Sequence, residues 1–189
     1  MRKLFFLVII YLPGSLFAQV KFEKERRIKP RDVPAGALAF VDSLNIEQRI
    51  KWFLEEGESS KSIEAKFKFN KSNYSVEFDT LGGLQDVEVE VDWKEIDRSV
   101  KEAIIMQLQL DCAKFKINKI QKQYTGSKKL SYSIFNNQAI NKELELKYEV
   151  VVRCSQSSGV ELYEYLFDEQ GKKLSSAKII FRNSSHLEY

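Results

Sequence analysis

Four carboxylates, Asp86, Glu88, Glu90 and Asp92, alternate along one short stretch of the chain. Alternate residues of a strand share a face, so these acids would stand in a row. Such a row suggests general acid–base chemistry by paired carboxylates, or oxygen ligands for a hard cation such as calcium. The surrounding sequence completes neither. No ligand-bearing loop converges on the stretch, and Lys66 and Lys68 on a neighbouring alternating segment would complement a solvated acidic face. Nucleophilic catalysis needs a base held beside a Ser, Cys or Thr, yet the one histidine, His186, sits close to the C-terminus and no nucleophile-elbow sequence occurs. No Cys/His set has zinc spacing, and no Gly-rich loop opens a helix as phosphate binding requires. The residues point away from an enzyme, and no metal or cofactor is expected.

Two cysteines, Cys112 and Cys154, are the remaining reactive side chains. Their setting is decided by the N-terminus, which has the three parts of a secretory signal. Arg2 and Lys3 supply charge, Leu4 to Leu12 an apolar run, and Phe17-Ala18-Gln19 a cleavage site after Ala18. The apolar run is well short of the ~20 residues of a membrane span, and no Cys follows it as a lipoprotein anchor would need. Residues 1–18 are therefore expected to be removed, leaving a periplasmic or secreted chain with no integral membrane segment. In that oxidising setting Cys112, ending a helix, and Cys154, ending a strand, are either bridged or two buried thiols. A bridge would contribute ~4 kcal/mol in the chain-entropy model.

Of 30 basic residues, Arg2 and Lys3 leave with the signal, so 28 face 27 acidic ones. A near-neutral, interspersed charge does not predict attraction to nucleic acid or anionic lipid. With 3 Pro and 8 Gly among many alternating segments, the composition predicts an ordered, strand-rich protein.

These groups must be positioned by elements that the apolar spacing marks out. A charged arm over 19–32 leads to a first helix near Asp32, with Pro34 in its first turn and Ala37, Phe40, Val41 and Leu44 on one face. A strand over 50–54 contains Trp52. Period-two patterns follow at Ile63, Ala65, Phe67 and Phe69, at Tyr74, Val76 and Phe78, and at Val87, Val89 and Val91. A second helix opens on Asp92 with Glu95 as a capping-box partner. Its stripe of Ile96, Val100, Ala103, Ile104 and Leu108 is widened by Ile105, Met106 and Leu110, which predicts burial on two sides. Strands through Phe115, Ile117 and Ile120, through 144–152, through Tyr163, Tyr165 and Phe167, and through Ala177, Ile179 and Phe181 complete the set. Residues 125–142 are expected to be an inserted loop or hairpin, and 183–189 a tail.

A hairpin sequence recurs: the stretch from Tyr74 to Gly82 returns, as an aromatic-rich strand ending in Phe-Asp-x-x-Gly, from Tyr163 to Gly171. The expected fold is accordingly α+β, a tandem repeat over 33–93 and 94–182. Each repeat would be one helix packed on a four-stranded antiparallel sheet, the two joining into one continuous eight-stranded sheet. Units of that size bury too little surface to stand alone.

Asp32-Val33-Pro34, Ile50-Lys51-Trp52-Phe53, Ile63-Glu64-Ala65-Lys66-Phe67 and the stretch from Tyr74 to Asp79 together resemble the PepSY-like, β-lactamase-inhibitor-protein-like periplasmic family of Bacteroidota. The likeness is strongest over 30–93, weaker over 94–182, and rests on structural motifs. It implies the tandem helix-plus-four-strand fold and a non-catalytic binding or inhibitory role. The second half departs from it, with the 125–142 insertion and no Pro at the start of its helix.

On the outward parity the first half is almost fully charged, whereas in the second Val151, Leu162, Leu166 and Ile180 fall among Lys147, Glu149, Glu164 and Lys178. An apolar patch rimmed by charge is what a partner surface looks like. These four residues are the candidate surface for an unknown protein or peptide, in an inhibitory or sensory module. The alternative is a periplasmic carrier holding a small apolar ligand in a helix–sheet cavity.

Overall fold

Alternating apolar residues dominate the chain, and in the computed structural model they build one sheet. It describes residues 19–22, 24–57, 60–135, 143–156 and 159–180; the expected signal peptide, His186, Phe181 and the tail lie outside them. Among the described residues there are ten strands: β1 (Gln19–Phe22), β2 (Lys24–Ile28), β3 (Lys51–Glu56), β4 (Lys61–Phe69), β5 (Ser72–Asp79), β6 (Leu84–Glu90), β7 (Lys114–Thr125), β8 (Glu145–Gln156), β9 (Gly159–Asp168) and β10 (Lys173–Ile180). From β2 to β10 they lie side by side in chain order, each antiparallel to the next. β1 joins the outer edge of β10 in parallel. Three α-helices accompany them among the same described residues: α1 (Ala35–Asp42), α2 (Arg98–Asp111) and α3 (Lys128–Phe135).

This corrects the expected fold class. The sheet is continuous, but it is a single, mostly-β array of nine antiparallel strands plus β1, with three helices. It is not a tandem pair of one-helix, four-strand units. β1 and β2 extend both edges, and the β6–β7 ladder from Asp86↔Thr125 to Glu90↔Gln121 leaves no seam. The segment expected as a loop contains α3, whose Phe135 joins Phe40, Trp52, Phe67 and Phe78 in one core.

All three helices cover one face, as the apolar parity requires. Under α1 lie Ile63, Ala65, Val76 and Val87, and under α2 lie Ile120, Tyr148, Val150, Val152, Tyr165 and Phe167. Val89, Tyr124 and Leu144 fill the space between these clusters. Phe40, Phe78, Ile104, Leu108 and Phe167 are at most 1% exposed, so the interior between helices and sheet is filled by side chains.

Helix starts differ from expectation. Asp32 ends a 3-10 turn, and α1 begins after Pro34. Asp92 and Glu95 do form a capping box, but on a 3-10 turn at Trp93–Glu95, with α2 starting after Asp97. Nor is α2 buried on two sides: Met106 and Leu110 are 64% and 77% exposed.

The recurring hairpin turns are built alike. Asp79 Oδ1 accepts from the N–H groups of Leu81 and Gly83, and Asp168 Oδ1 from those of Gln170 and Lys172. Gly82 and Gly171 take φ of +87° and +83°, a region L side chains avoid. Each turn presses on a helix start: a Cβ on Gly82 would sit 2.9 Å from the Ala37 amide nitrogen, and one on Gly171 2.8 Å from the Val100 carbonyl oxygen.

Candidate functional site

The face opposite the helices is where the strand registers assemble chemistry. Directly opposed residues point the same way, so the ladders define rows across the sheet. One row runs Phe53, Glu64, Glu77, Asp86 and Thr125. The next runs Lys51, Lys66, Ser75, Glu88, Gln123 and Lys147. Three carboxylates thus stand opposite one another on β4, β5 and β6, with Glu88 one row away.

Their environments differ. Glu64, 7% exposed, accepts a hydrogen bond from Ser75 Oγ and is ion-paired through Oε2 to Lys66 Nζ at 2.7 Å. Burial opposes its ionisation, but side-chain hydrogen bonding with Glu55 and Lys66 and the Lys66 charge hold it below the usual carboxylate range. Among the described residues Asp86 has no such ion pair. Burial first, then the charges of Glu77, Glu149 and Glu64, push it up to about 8. Burial and Asp86 likewise push Glu88 up to about 7. Gln121 Nε2 donates to Glu88 Oε2 at 2.9 Å, and Gln123 Nε2 to Glu88 Oε1 at 3.2 Å and Asp86 Oδ2 at 3.4 Å. Asp86 Oδ1 and Gln121 Oε1 are buried without a hydrogen-bond partner.

Two concavities open on this face. One, of about 470 Å³, is lined by residues of every strand from β2 to β10, among them Glu25, Glu64, Glu88, Val151, Leu166 and Ile179. For strands at opposite ends of the order to share it, the sheet must curl around it. The other, of about 500 Å³, is lined by Arg49, Lys51, Lys66, Lys68 and Lys119 with a single acid, Glu90. Lys66 and Lys119 border both.

The expected partner residues are divided by the fold. Val151 and Leu166 line the 470 Å³ cavity, and Leu162, opposite Arg153, shares their parity on β9. Ile180 does not: Lys178 stands opposite Tyr163, which packs under α2, so Ile180 falls on the helix side. A bulge between Lys173 and Ser175 sets this register and brings Ala177 and Ile179 to the open face, reversing the expected parity of β10. Lys66 serves Glu64 and Glu25 rather than the β6 acids, from which β5 separates it. Cys112, at the C-cap of α2, and Cys154, in β8, form a disulfide with Cα atoms 5.5 Å apart, on the helix side and away from both concavities.

Among the described residues no group of three or more His, Cys, Asp or Glu side chains is arranged to hold a metal ion, and no helix is long and apolar enough to cross a membrane. The acid row itself was missed in the sequence, where Glu64, Glu77 and Asp86 lie on separate segments.

No protein-family model matches the chain, and no curated protein sequence matches it. Solved structures do resemble it. A DUF2874 family protein from Bacteroides uniformis ATCC 8492 superposes with a TM-score of 0.53 at 14% identity, over 77% of this chain and 89% of its own. A provisionally periplasmic protein from Bacteroides eggerthii DSM 20697 gives 0.53 at 12% identity, over 77% and 88%. A BLIP-like protein from Bacteroides fragilis NCTC 9343 gives 0.50 at 14% identity, over 82% and 92%. At such identities the likeness is one of fold. It agrees with the β-lactamase-inhibitor-like part of the sequence resemblance, while a PepSY relationship finds no counterpart in these comparisons.

Proposed function

We propose that the chain is an exported, non-catalytic binding module whose helix-free sheet face receives a segment of another protein. The observation carrying this reading is the 470 Å³ concavity lined from β2 to β10, where Val151, Leu166, Ala177 and Ile179 are interspersed with charged side chains such as Glu149 and Glu164. Mixed apolar and charged concave surfaces suit recognition of a protein segment. Export to the periplasm is supported by the signal-type leader ending at Ala18 and by the fold shared with a provisionally periplasmic Bacteroides protein. Binding at this face would serve inhibition or sensing, and the BLIP-like fold supports the former.

A non-catalytic role fits the acidic centre, where burial first and like charges second raise the Asp86 and Glu88 carboxyls, and where the Ser75 hydroxyl donates to Glu64, itself ion-paired to Lys66. A carrier of apolar ligands has less support, because the helix–sheet interior is packed and both concavities are lined with charge.

The test is the double variant Leu162→Asp, Leu166→Asp expressed in a Bacteroides host, followed by chemical cross-linking in the cell envelope. The reading predicts loss of specific cross-linked adducts with an unchanged unfolding temperature. Adducts that persist in a normally folded variant would overturn it.

A further inference from the structure

Both ends of the sheet are held by the same stretch of chain. β1 pairs with β10 through Gln19–Phe22, and β2 pairs with β3 through Lys24–Ile28. Phe22 and Lys24 are two residues apart, so their Cα atoms lie within ~7.6 Å of each other. β3 and β10 therefore converge, and the N-terminal stretch spans the gap between them. Counting that stretch once, the strands form a ring of nine. An odd number cannot alternate in direction throughout, and β1 with β10 is the one parallel pair that closure requires. The 470 Å³ concavity lies within this curl, which is why Glu25 of β2 and Ile179 of β10 both line it.

β1 is the weakest part of the closure. It offers four residues to an eight-residue strand and reaches only positions 177–180. Among the described residues, positions 173–176 of β10 have no strand on that side. Continuing the register would take four residues before Gln19, and the expected cleavage after Ala18 removes them. Parallel pairing is slightly less stable per residue than antiparallel pairing, and a chain end frays unless it is tied down.

We infer that the outer edge of β10 is a strand-docking site, held by β1 in the free chain and taken over by an extended, basic segment of the partner. This rests on the binding reading above and names the backbone and charge that the partner supplies. β1 itself demonstrates that the edge accepts an extended segment. A segment pairing with all of β10 would make a ladder of eight residues in place of four, which offsets the advantage β1 has from being tethered. Its side chains opposite Ser175, Ala177 and Ile179 would share the face of those residues, which line the concavity. Seven glutamates and two lysines also line it, so basic side chains are favoured at those registers. The chain's own residue opposite Ile179 is Lys21.

The probe is a blocked peptide of alternating lysine and valine, eight residues in length as β10 is. Its binding to the mature protein is followed by backbone amide shifts at positions 177–180. Three proteins are compared. One is the wild type, and a second locks β1 to β10 by Val20→Cys with Lys178→Cys, which stand opposite each other. The third breaks β1 by Val20→Pro with Lys21→Pro. Proline cannot donate to a ladder, and successive N–H groups of a strand point to opposite sides, so one of the two prolines removes a contact with β10. The peptide should bind the proline variant at least tenfold more tightly than the wild type, and the locked chain at least tenfold more weakly. Glutamates in place of its lysines should weaken binding to the proline variant at least tenfold. Equal affinity for the three proteins, or for the two peptides, overturns the inference. In the cell envelope, the locked chain should lose the cross-linked adducts that the wild type forms. If the locked chain keeps them while Leu162→Asp, Leu166→Asp abolishes them, the docking site fails and the binding face stands. If the double aspartate variant keeps them too, both fail.

Discussion

Glu77 stands directly opposite Asp86 across β5 and β6, and one strand away Glu64 stands directly opposite Glu77. A sheet ordinarily avoids such neighbours because opposed like charges destabilise it. Here the three carboxylates are tolerated because they are unequal. Glu64 is neutralised by Lys66, whereas Asp86 relieves the repulsion by holding its proton more tightly.

Stability should therefore fall as pH rises through the neutral range. Asp86 and Glu88 titrate at about 8 and about 7 when folded, against ordinary values of 3.8 and 4.5. The folded state holds protons that the unfolded chain has released, so stability is greatest below the unfolded values and is lost as pH climbs to the folded ones. Burial and the charges of Glu77, Glu149 and Glu64 drive the Asp86 shift, and Lys147 opposes it. The loss should be on the order of 2 kcal/mol between acidic and mildly alkaline solution, reduced by partial exposure and salt. Asp86→Asn should flatten the curve. Urea unfolding across this range measures it, and wild-type stability rising from pH 5 to 8 would refute the account.

The turn glycines should resist substitution for two reasons at once. At Gly82 and Gly171 an alanine meets both a positive φ and a helix backbone within 3 Å. Gly82→Ala and Gly171→Ala should each cost about 2 kcal/mol or more, read as lowered unfolding midpoints.

Joining the end of α2 to β8, the Cys112–Cys154 bridge closes a 42-residue separation. Reduction, or Cys112→Ser with Cys154→Ser, should lower stability by about 2–4 kcal/mol. Free-thiol titration of the exported protein should find neither cysteine reactive.

Helix α3 should behave as part of the core. Phe135 is 4% exposed, with its ring 5.3 Å from that of Tyr74 and 5.8 Å from that of Phe69. Phe135→Ala should cost about 3 kcal/mol, whereas a peripheral insertion would tolerate it with little change.

Much of the helix-side face was legible in the sequence, since Ile63, Ala65, Phe67, Val76, Phe78, Tyr165 and Phe167 alternate where strands bury them. Helix α3 was not. Leu130, Tyr132 and Ile134 also alternate, and only packing against the α1 core selects the helix there. β10 was ambiguous for a related reason: Ala177 and Ile179 compete with Ile180 on the other parity, and the bulge that decides between them depends on pairing with β9. The acid row was invisible because a row across strands exists only once every register is set. The recurring turn points to two units, whereas the edge strands and α3, which make one array of the whole, depend on contacts distant in sequence.

The central claim, that the helix-free face is the binding surface, is tested most directly by placing a photo-cross-linking amino acid at Leu166 on that face and, separately, at exposed Met106 on α2. Irradiation of intact exporting cells should yield a discrete protein adduct from position 166 and none from position 106. An adduct from position 106 with none from position 166 would contradict the account.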